Sequence, residues 1–73
     1  MGALKIDDIA PDGVHIVVDW GLVRVGSSFF VPCLNTSAAK KQIKAVFERR
    51  GWKMRYYIGP QNKLWGIRVW RIA

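Results

Sequence analysis

Cys33 is the only cysteine in a chain of 73 residues, and this constrains the fold more than any other single feature. Domains of about 70–80 residues or fewer often depend on disulfides, a metal or a partner for stability. One cysteine excludes an internal disulfide, and with the single histidine, His15, it cannot supply the roughly four ligands of a structural zinc site. The chain must rely on its own apolar core, for which four Trp, three Phe and two Tyr provide large surfaces. We expect one domain spanning residues 1–73, a monomer rather than a dimer, with no metal or cofactor.

The clearest predicted element is a helix over residues 38–50, a stretch without glycine or proline. Residues of the N-cap type precede it at Asn35, Thr36 and Ser37, and Gly51 follows it where a left-handed C-terminal residue is common. Its apolar residues recur at the spacing of one buried face. They are Ala39, Ile43, Val46 and Phe47. The opposite surface, which we interpret as a solvated face, carries Lys40, Lys41, Lys44 and Glu48.

Two short strands are predicted before the helix. Residues 14–20 are rich in β-branched side chains, which strands favour. Residues 28–31 form a second apolar run, which Pro32 stops. Residues 1–13 are expected to be an irregular lead-in.

Two further strands are predicted after the helix, over residues 52–58 and 64–72, with a turn at residues 59–62. Strand periodicity divides their side chains between two faces. In the first strand Trp52, Met54, Tyr56 and Ile58 share one face, and Lys53, Arg55 and Tyr57 share the other. In the last strand Trp65, Ile67 and Val69 share one face, and Leu64, Arg68, Trp70 and Ile72 share the other. The predicted class is α+β in the order ββαββ, a small antiparallel sheet with one helix packed on one face.

No set of side chains suited to catalysis can be assembled. His15 lies within an apolar run, where a lone histidine is more often structural than catalytic. Asp7 and Asp8 are adjacent and point apart in an extended segment, whereas paired carboxylates must converge. Cys33 stands near the helix start, where a thiol pKa can fall, but a small buried hydrophobic residue is the simpler interpretation. We predict that the protein is not an enzyme.

The charge is strongly segregated along the chain, whose formal net charge is +7. Residues 1–39 carry two cationic side chains against four carboxylates, whereas residues 40–73 carry ten against one. This asymmetry predicts an acidic or polyanionic partner, such as nucleic acid. The alternative is that the basic surface only keeps a small protein in solution. A free thiol and the lack of an apolar run of membrane-spanning length favour a reducing, cytosolic location.

Basic and aromatic residues interleave from residue 49 to residue 71. Such a pattern suits phosphate contact with base stacking, and Arg, Trp and Tyr are also enriched at protein–protein hot spots. The candidate partner-binding residues are Arg49, Arg50, Lys53, Arg55, Tyr57, Arg68 and Trp70. Period-2 geometry brings Arg68 and Trp70 to the sheet face away from the helix. The alternative is that Trp70 belongs to a second small core under residues 1–20.

Two segments of the chain resemble a group of small phage-encoded proteins. Residues 26–32 read Gly-Ser-Ser-Phe-Phe-Val-Pro and residues 66–71 read Gly-Ile-Arg-Val-Trp-Arg, with a basic helix between them. Members of the group carry Gly-Asp-Ser-Phe-Phe-Val-Pro, a short basic helix and Gly-Val-Arg-Val-Trp-Arg in the same layout. This chain departs from the group in having Ser27 in place of the acidic residue and a longer N-terminal part. In these motifs Gly26 is expected to enable a turn, and Phe29 or Phe30 to fill the core.

In length, charge and layout the chain is also similar to phage transcription regulators that bind bacterial RNA polymerase. This resemblance implies a host-takeover protein in the host bacterial cytoplasm that binds host RNA polymerase, inhibits initiation and promotes antitermination. It transfers no binding residues. Two alternatives stay open: a protein that binds single- or double-stranded nucleic acid directly through its basic aromatic sheet face, and a structural phage component.

Overall fold

The computed structural model of the protein describes residues 9–14 and 16–73. Its elements are a 3-10 helix at Trp20–Leu22, strand β1 at Ser28–Pro32, helix α1 at Thr36–Arg49, strand β2 at Met54–Gln61 and strand β3 at Leu64–Arg71. β3 lies between β1 and β2 and is antiparallel to both. The small antiparallel sheet with one helix is confirmed. The predicted ββαββ order is wrong, because the described elements follow the order βαββ.

The predicted strand over residues 14–20 is replaced by a single antiparallel bridge, between Ile9 and Ile16, followed by the 3-10 helix. Trp20 explains the difference. Its indole ring is buried edge-to-face against Phe29 and Phe47, with ring centroids 5.7 Å and 6.1 Å away. Burial of one large ring in the core favours a turn here over a continuous ladder.

Residues 1–8 and His15 lie outside the described residues. The interpretations of Asp7, Asp8 and His15 therefore stay predictions.

Helix α1 confirms the predicted helix and its four-residue buried face. The Asn35 side chain caps it by accepting a hydrogen bond from the Ala38 N–H at 3.1 Å. At the other end Gly51 has φ +71°, and its N–H donates to the Glu48 carbonyl. The Trp52 N–H donates to the Phe47 carbonyl at 2.8 Å, which completes a Schellman motif.

The β2–β3 hairpin turns at Asn62 and Lys63, later than the predicted turn at residues 59–62. Both turn residues have positive φ, 51° and 67°, as a two-residue type I′ turn requires. Gly59 and Pro60 remain within β2, paired with Gly66 and Trp65. Proline is tolerated there because β2 is an edge strand of the sheet.

The core lies between the sheet and α1. Phe29 of β1, Val69 of β3 and Phe47 of α1 meet there, and the segment before β1 adds Ile9 and Trp20 to the same side. Of the described part of residues 1–20, Ile9, Ile16, Val18 and Trp20 pack in or against the core shared with the helix, and Trp70 does not belong to that cluster. The alternative that Trp70 belongs to a second small core under residues 1–20 stays a prediction, because residues 1–8 lie outside the described residues. Among the described residues, no helix is both long enough and apolar enough to cross a membrane.

Candidate nucleic-acid interface

The sheet has a second face, opposite α1, which we call the outer face. Its position follows from the register, because Ile67 and Val69 of β3 are fully buried towards the helix and the residues that alternate with them along the strand point away. β1 contributes Ser28, Phe30 and Pro32, β2 contributes Arg55, Tyr57, Gly59 and Gln61, and β3 contributes Leu64, Gly66, Arg68 and Trp70. No described secondary-structure element covers this face.

Arg68 occupies the middle of the outer face. It pairs with Phe30 across one strand boundary and with Tyr57 across the other. Its guanidinium group donates to the Gln61 side-chain carbonyl at 2.9 Å and to the Ser28 hydroxyl at 2.8 Å. Both acceptors are neutral, so they orient the guanidinium group without neutralising its charge.

The rings of Phe30 and Tyr57 lie over two paired glycines, Gly66 of β3 and Gly59 of β2 respectively. An ideal Cβ on Gly59 would lie 2.6 Å from Cε1 and 2.7 Å from Oη of Tyr57. One on Gly66 would lie 2.8 Å from Cζ of Phe30. The glycines therefore let two aromatic rings lie close against the sheet. Tyr57 nevertheless remains 58 % exposed, so the ring is available to a ligand.

Trp70 and Arg55 form the next row of the outer face, paired with each other across β2 and β3. Trp70 is half-buried, and the Arg68 guanidinium carbon lies 6.0 Å from its ring centroid. Arg55 is exposed and, within the described residues, has no hydrogen-bond or ion-pair partner. Three aromatic rings and two guanidinium groups thus share one face.

Carboxylates are missing from this face in the described part of the chain. Asp12 accepts the Leu34 and Asn35 N–H groups at 2.9 Å and 2.8 Å, close to the start of the helix. Asp19 precedes the 3-10 helix and Glu48 lies on α1, so none of the three is in a strand. No carboxylate of the described residues compensates the positive charge of the outer face locally, which favours an anionic ligand.

The structure separates the seven candidate partner-binding residues into two groups. Arg55, Tyr57, Arg68 and Trp70 lie together on the outer face, and exposed Lys53 leads into β2 at its edge. Arg49 and Arg50 lie elsewhere. Arg49 is in the last turn of α1, and the Arg50 guanidinium carbon stands 5.2 Å from the ring centroid of Trp52.

Phe30, Ser28 and Gln61 also belong to the outer face, although the sequence pattern did not predict them as site residues. Phe29 and Phe30 are adjacent, so alternation puts one of them in the core but does not say which. The structure packs the half-buried Phe29 against Trp20 and places Phe30 on the outer face. Pairing residues 26–32 with residues 66–71 as neighbouring strands could have identified Phe30, because this pairing puts Phe30 opposite Arg68.

The described residues offer little for other chemistry. They contain no cluster of three or more His, Cys, Asp or Glu side chains that could hold a metal ion. Cys33 is buried, and burial, followed by the charge of Asp12, raises the pKa of its thiol above the ordinary value. Because a raised pKa disfavours the thiolate, Cys33 is not set up as a nucleophile.

Comparison of the chain with protein-family models, with curated proteins and with solved structures finds no match. The phage resemblance therefore stays a prediction.

Proposed function

We propose that this protein binds single-stranded nucleic acid on its outer face. The observation that carries the proposal is the group of aromatic rings, Phe30, Tyr57 and Trp70, on a sheet face that no described element covers and that also holds Arg55 and Arg68. Aromatic side chains in a positively charged groove are the combination by which proteins hold single strands. The rings stack on bases, and the guanidinium groups contact phosphates.

A single strand fits this chemistry better than a duplex. The bases of a duplex stack on one another and expose only their edges in the grooves. Unpaired bases expose their faces, which an aromatic ring such as Tyr57 can cover. Three strands also make a broader surface than the two-stranded ribbon that a major groove admits.

Two adjacent tyrosines provide a matched test. Tyr57 lies on the outer face and Tyr56 on the helix side, where the Lys40 ammonium group stands 4.5 Å from its ring centroid. We expect Tyr57→Ala to weaken binding of a fluorescent oligothymidylate of about 12 nucleotides by roughly 5- to 150-fold, the loss of one stacked base. Tyr56→Ala should leave the affinity within about twofold. Fluorescence anisotropy at low salt measures both dissociation constants.

Salt and strand competition complete the test. The logarithm of the binding constant should fall linearly with log salt, with a slope of about −0.7 for each phosphate contacted. Unlabelled single strands should compete better than duplex of the same length. Undetectable binding at low salt, or an equal loss in both tyrosine variants, would contradict the proposal.

The second candidate function is regulation of transcription through direct binding to host RNA polymerase. It is favoured by the phage-like segments, residues 26–32 and 66–71, which pair with each other as β1 and β3, and by the Arg, Trp and Tyr side chains of the outer face. Tagged protein should retain polymerase subunits from nuclease-treated bacterial lysate, and Arg68→Ala with Trp70→Ala should abolish this retention. Absence of polymerase subunits from the captured proteins would exclude this candidate.

A further inference from the structure

The outer face ends at a cleft beside Trp70. The cleft has a volume of about 510 Å³, within the range of small-molecule sites. It is lined by Val25, Gly26, Arg55, Trp70, Arg71 and Ile72. It therefore continues the outer face past the last row of the sheet.

The wall of the cleft is held in place by the main chain. Gly26 has φ +88°, and its N–H donates to the Arg71 carbonyl at 2.7 Å. The Arg71 N–H donates in turn to the Ser27 carbonyl at 3.0 Å. These bonds tie the turn that carries Val25 to the end of β3, so the cleft exists before a ligand arrives.

The lining combines apolar surface with two cationic side chains, Arg55 and Arg71. Val25 and Ile72 are 62 % and 49 % exposed, and Trp70 adds an aromatic surface. The Arg71 guanidinium group keeps its charge but is held in place, because it donates to the Val23 and Ala73 carbonyls and its carbon lies 4.0 Å from the Trp52 ring centroid. Arg55 has no such partner among the described residues, so its side chain can turn towards a ligand charge.

We propose that this cleft binds one unstacked nucleotide of the bound strand, with its base against Trp70 and its phosphate on Arg55. The proposal rests on the proposed function and deepens it. A planar aromatic group with an adjacent negative charge matches an apolar, indole-containing cleft whose Arg55 has no partner among the described residues. The cleft adjoins Arg68 through Trp70, so a strand held on the outer face can deliver a nucleotide into it.

Two valine variants form a matched pair for the test. Val25→Asp places a carboxylate in the cleft, where it competes for Arg55 and repels a phosphate. Val14→Asp makes the same change at a 68 % exposed valine that does not line the cleft. We expect Val25→Asp to weaken oligothymidylate binding at least about fivefold more than Val14→Asp, corresponding to about one stacked base. Thermal melting should show that both variants remain folded.

Nuclear magnetic resonance then locates the ligand. Oligothymidylate and adenosine 5′-monophosphate should both shift the amide signals of Val25 and Gly26 and the indole N–H of Trp70 in the wild-type protein. Adenosine, which lacks the phosphate, should require a higher concentration for the same shifts.

The outcomes separate the two proposals. If the oligonucleotide binds, the two variants lose affinity equally and the cleft signals do not move, the cleft proposal is overturned and the proposed function stands. If the mononucleotide saturates the cleft but the oligonucleotide does not bind, the proposed function fails and the cleft is a site for free nucleotides. If neither probe binds, both proposals fail.

Discussion

At the residue scale, the paired glycines Gly59 and Gly66 set up two separate tests. Gly59→Ala would press its Cβ against the ring of Tyr57, a mobile side chain that can move away. We expect a small change in stability, under about 1 kcal/mol, with weaker oligonucleotide binding because the ring leaves its place on the sheet. Urea denaturation and anisotropy measure the two effects.

Gly66→Ala should behave differently, because its Cβ would meet the main-chain carbonyl oxygen of Val31 and, at 2.8 Å, the Cα of Pro32. The backbone of β1 cannot yield as a side chain can, so we expect destabilisation of about 1–3 kcal/mol or more. A melting temperature unchanged from wild type would show that β1 does not approach β3 this closely.

The buried thiol of Cys33 predicts a pH dependence. Burial and Asp12 raise its pKa in the folded protein, so folding favours the protonated form. The stability that this confers is complete below the unfolded pKa of about 8.5 and is lost as pH rises through the higher folded pKa. The free energy of unfolding of the wild type should therefore fall more steeply above about pH 8.5 than that of Cys33→Ala. Parallel pH profiles from urea denaturation would contradict this account.

At the element scale, helix α1 and strand β3 are the parts that sequence analysis predicts best. The capping residue Asn35 and the terminal Gly51 act within a few residues of the helix, as does its apolar spacing, so local physics is sufficient. The predicted alternation of residues 64–72 is likewise confirmed, with Ile67 and Val69 fully buried.

The hairpin turn lies at Asn62 and Lys63 rather than at the predicted residues 59–62. Lys63 has φ +67°, a conformation that a side chain with a Cβ adopts at a cost of about 1 kcal/mol. Lys63→Gly should stabilise the protein by about 0.5–1 kcal/mol because glycine adopts this φ without strain. Lys63→Ala removes the same charge but keeps the Cβ, so it should not stabilise. Chemical denaturation of both variants separates the backbone effect from the charge effect.

The segment before β1 shows where element prediction fails. Residues 14–20 have the β-branched composition of a strand, yet strand propensity describes fit to a sheet rather than a preference of the backbone. Trp20 is buried between Phe29 and Phe47, which come from different elements. No pattern within residues 14–20 contains that information.

At the scale of the whole molecule, a single strand could be attracted by the net charge of +7 as such or by the particular side chains of the outer face. The two explanations predict different effects of charge reversal. Two double variants change the net charge by the same amount. One carries Arg55→Glu and Arg68→Glu on the outer face, and the other carries Lys41→Glu and Lys44→Glu on α1. Binding by the outer face predicts that the arginine pair abolishes single-strand binding and that the lysine pair weakens it only modestly. Equal losses, measured by anisotropy at one salt concentration, would mean that net charge alone attracts the strand.

Local sequence patterns are enough to predict the α+β class, the helix with its buried face and terminal Gly51, and the grouping of Arg55 with Tyr57 and of Arg68 with Trp70 on like faces of their strands. These features depend on neighbours within a few residues, which the chain order supplies. The folded structure adds that Phe30 rather than Phe29 faces outward, that Trp20 turns into the core, and that no described element covers the outer face. Each of these depends on contacts between distant segments, because the free energy of burying a ring is settled by which surfaces meet it.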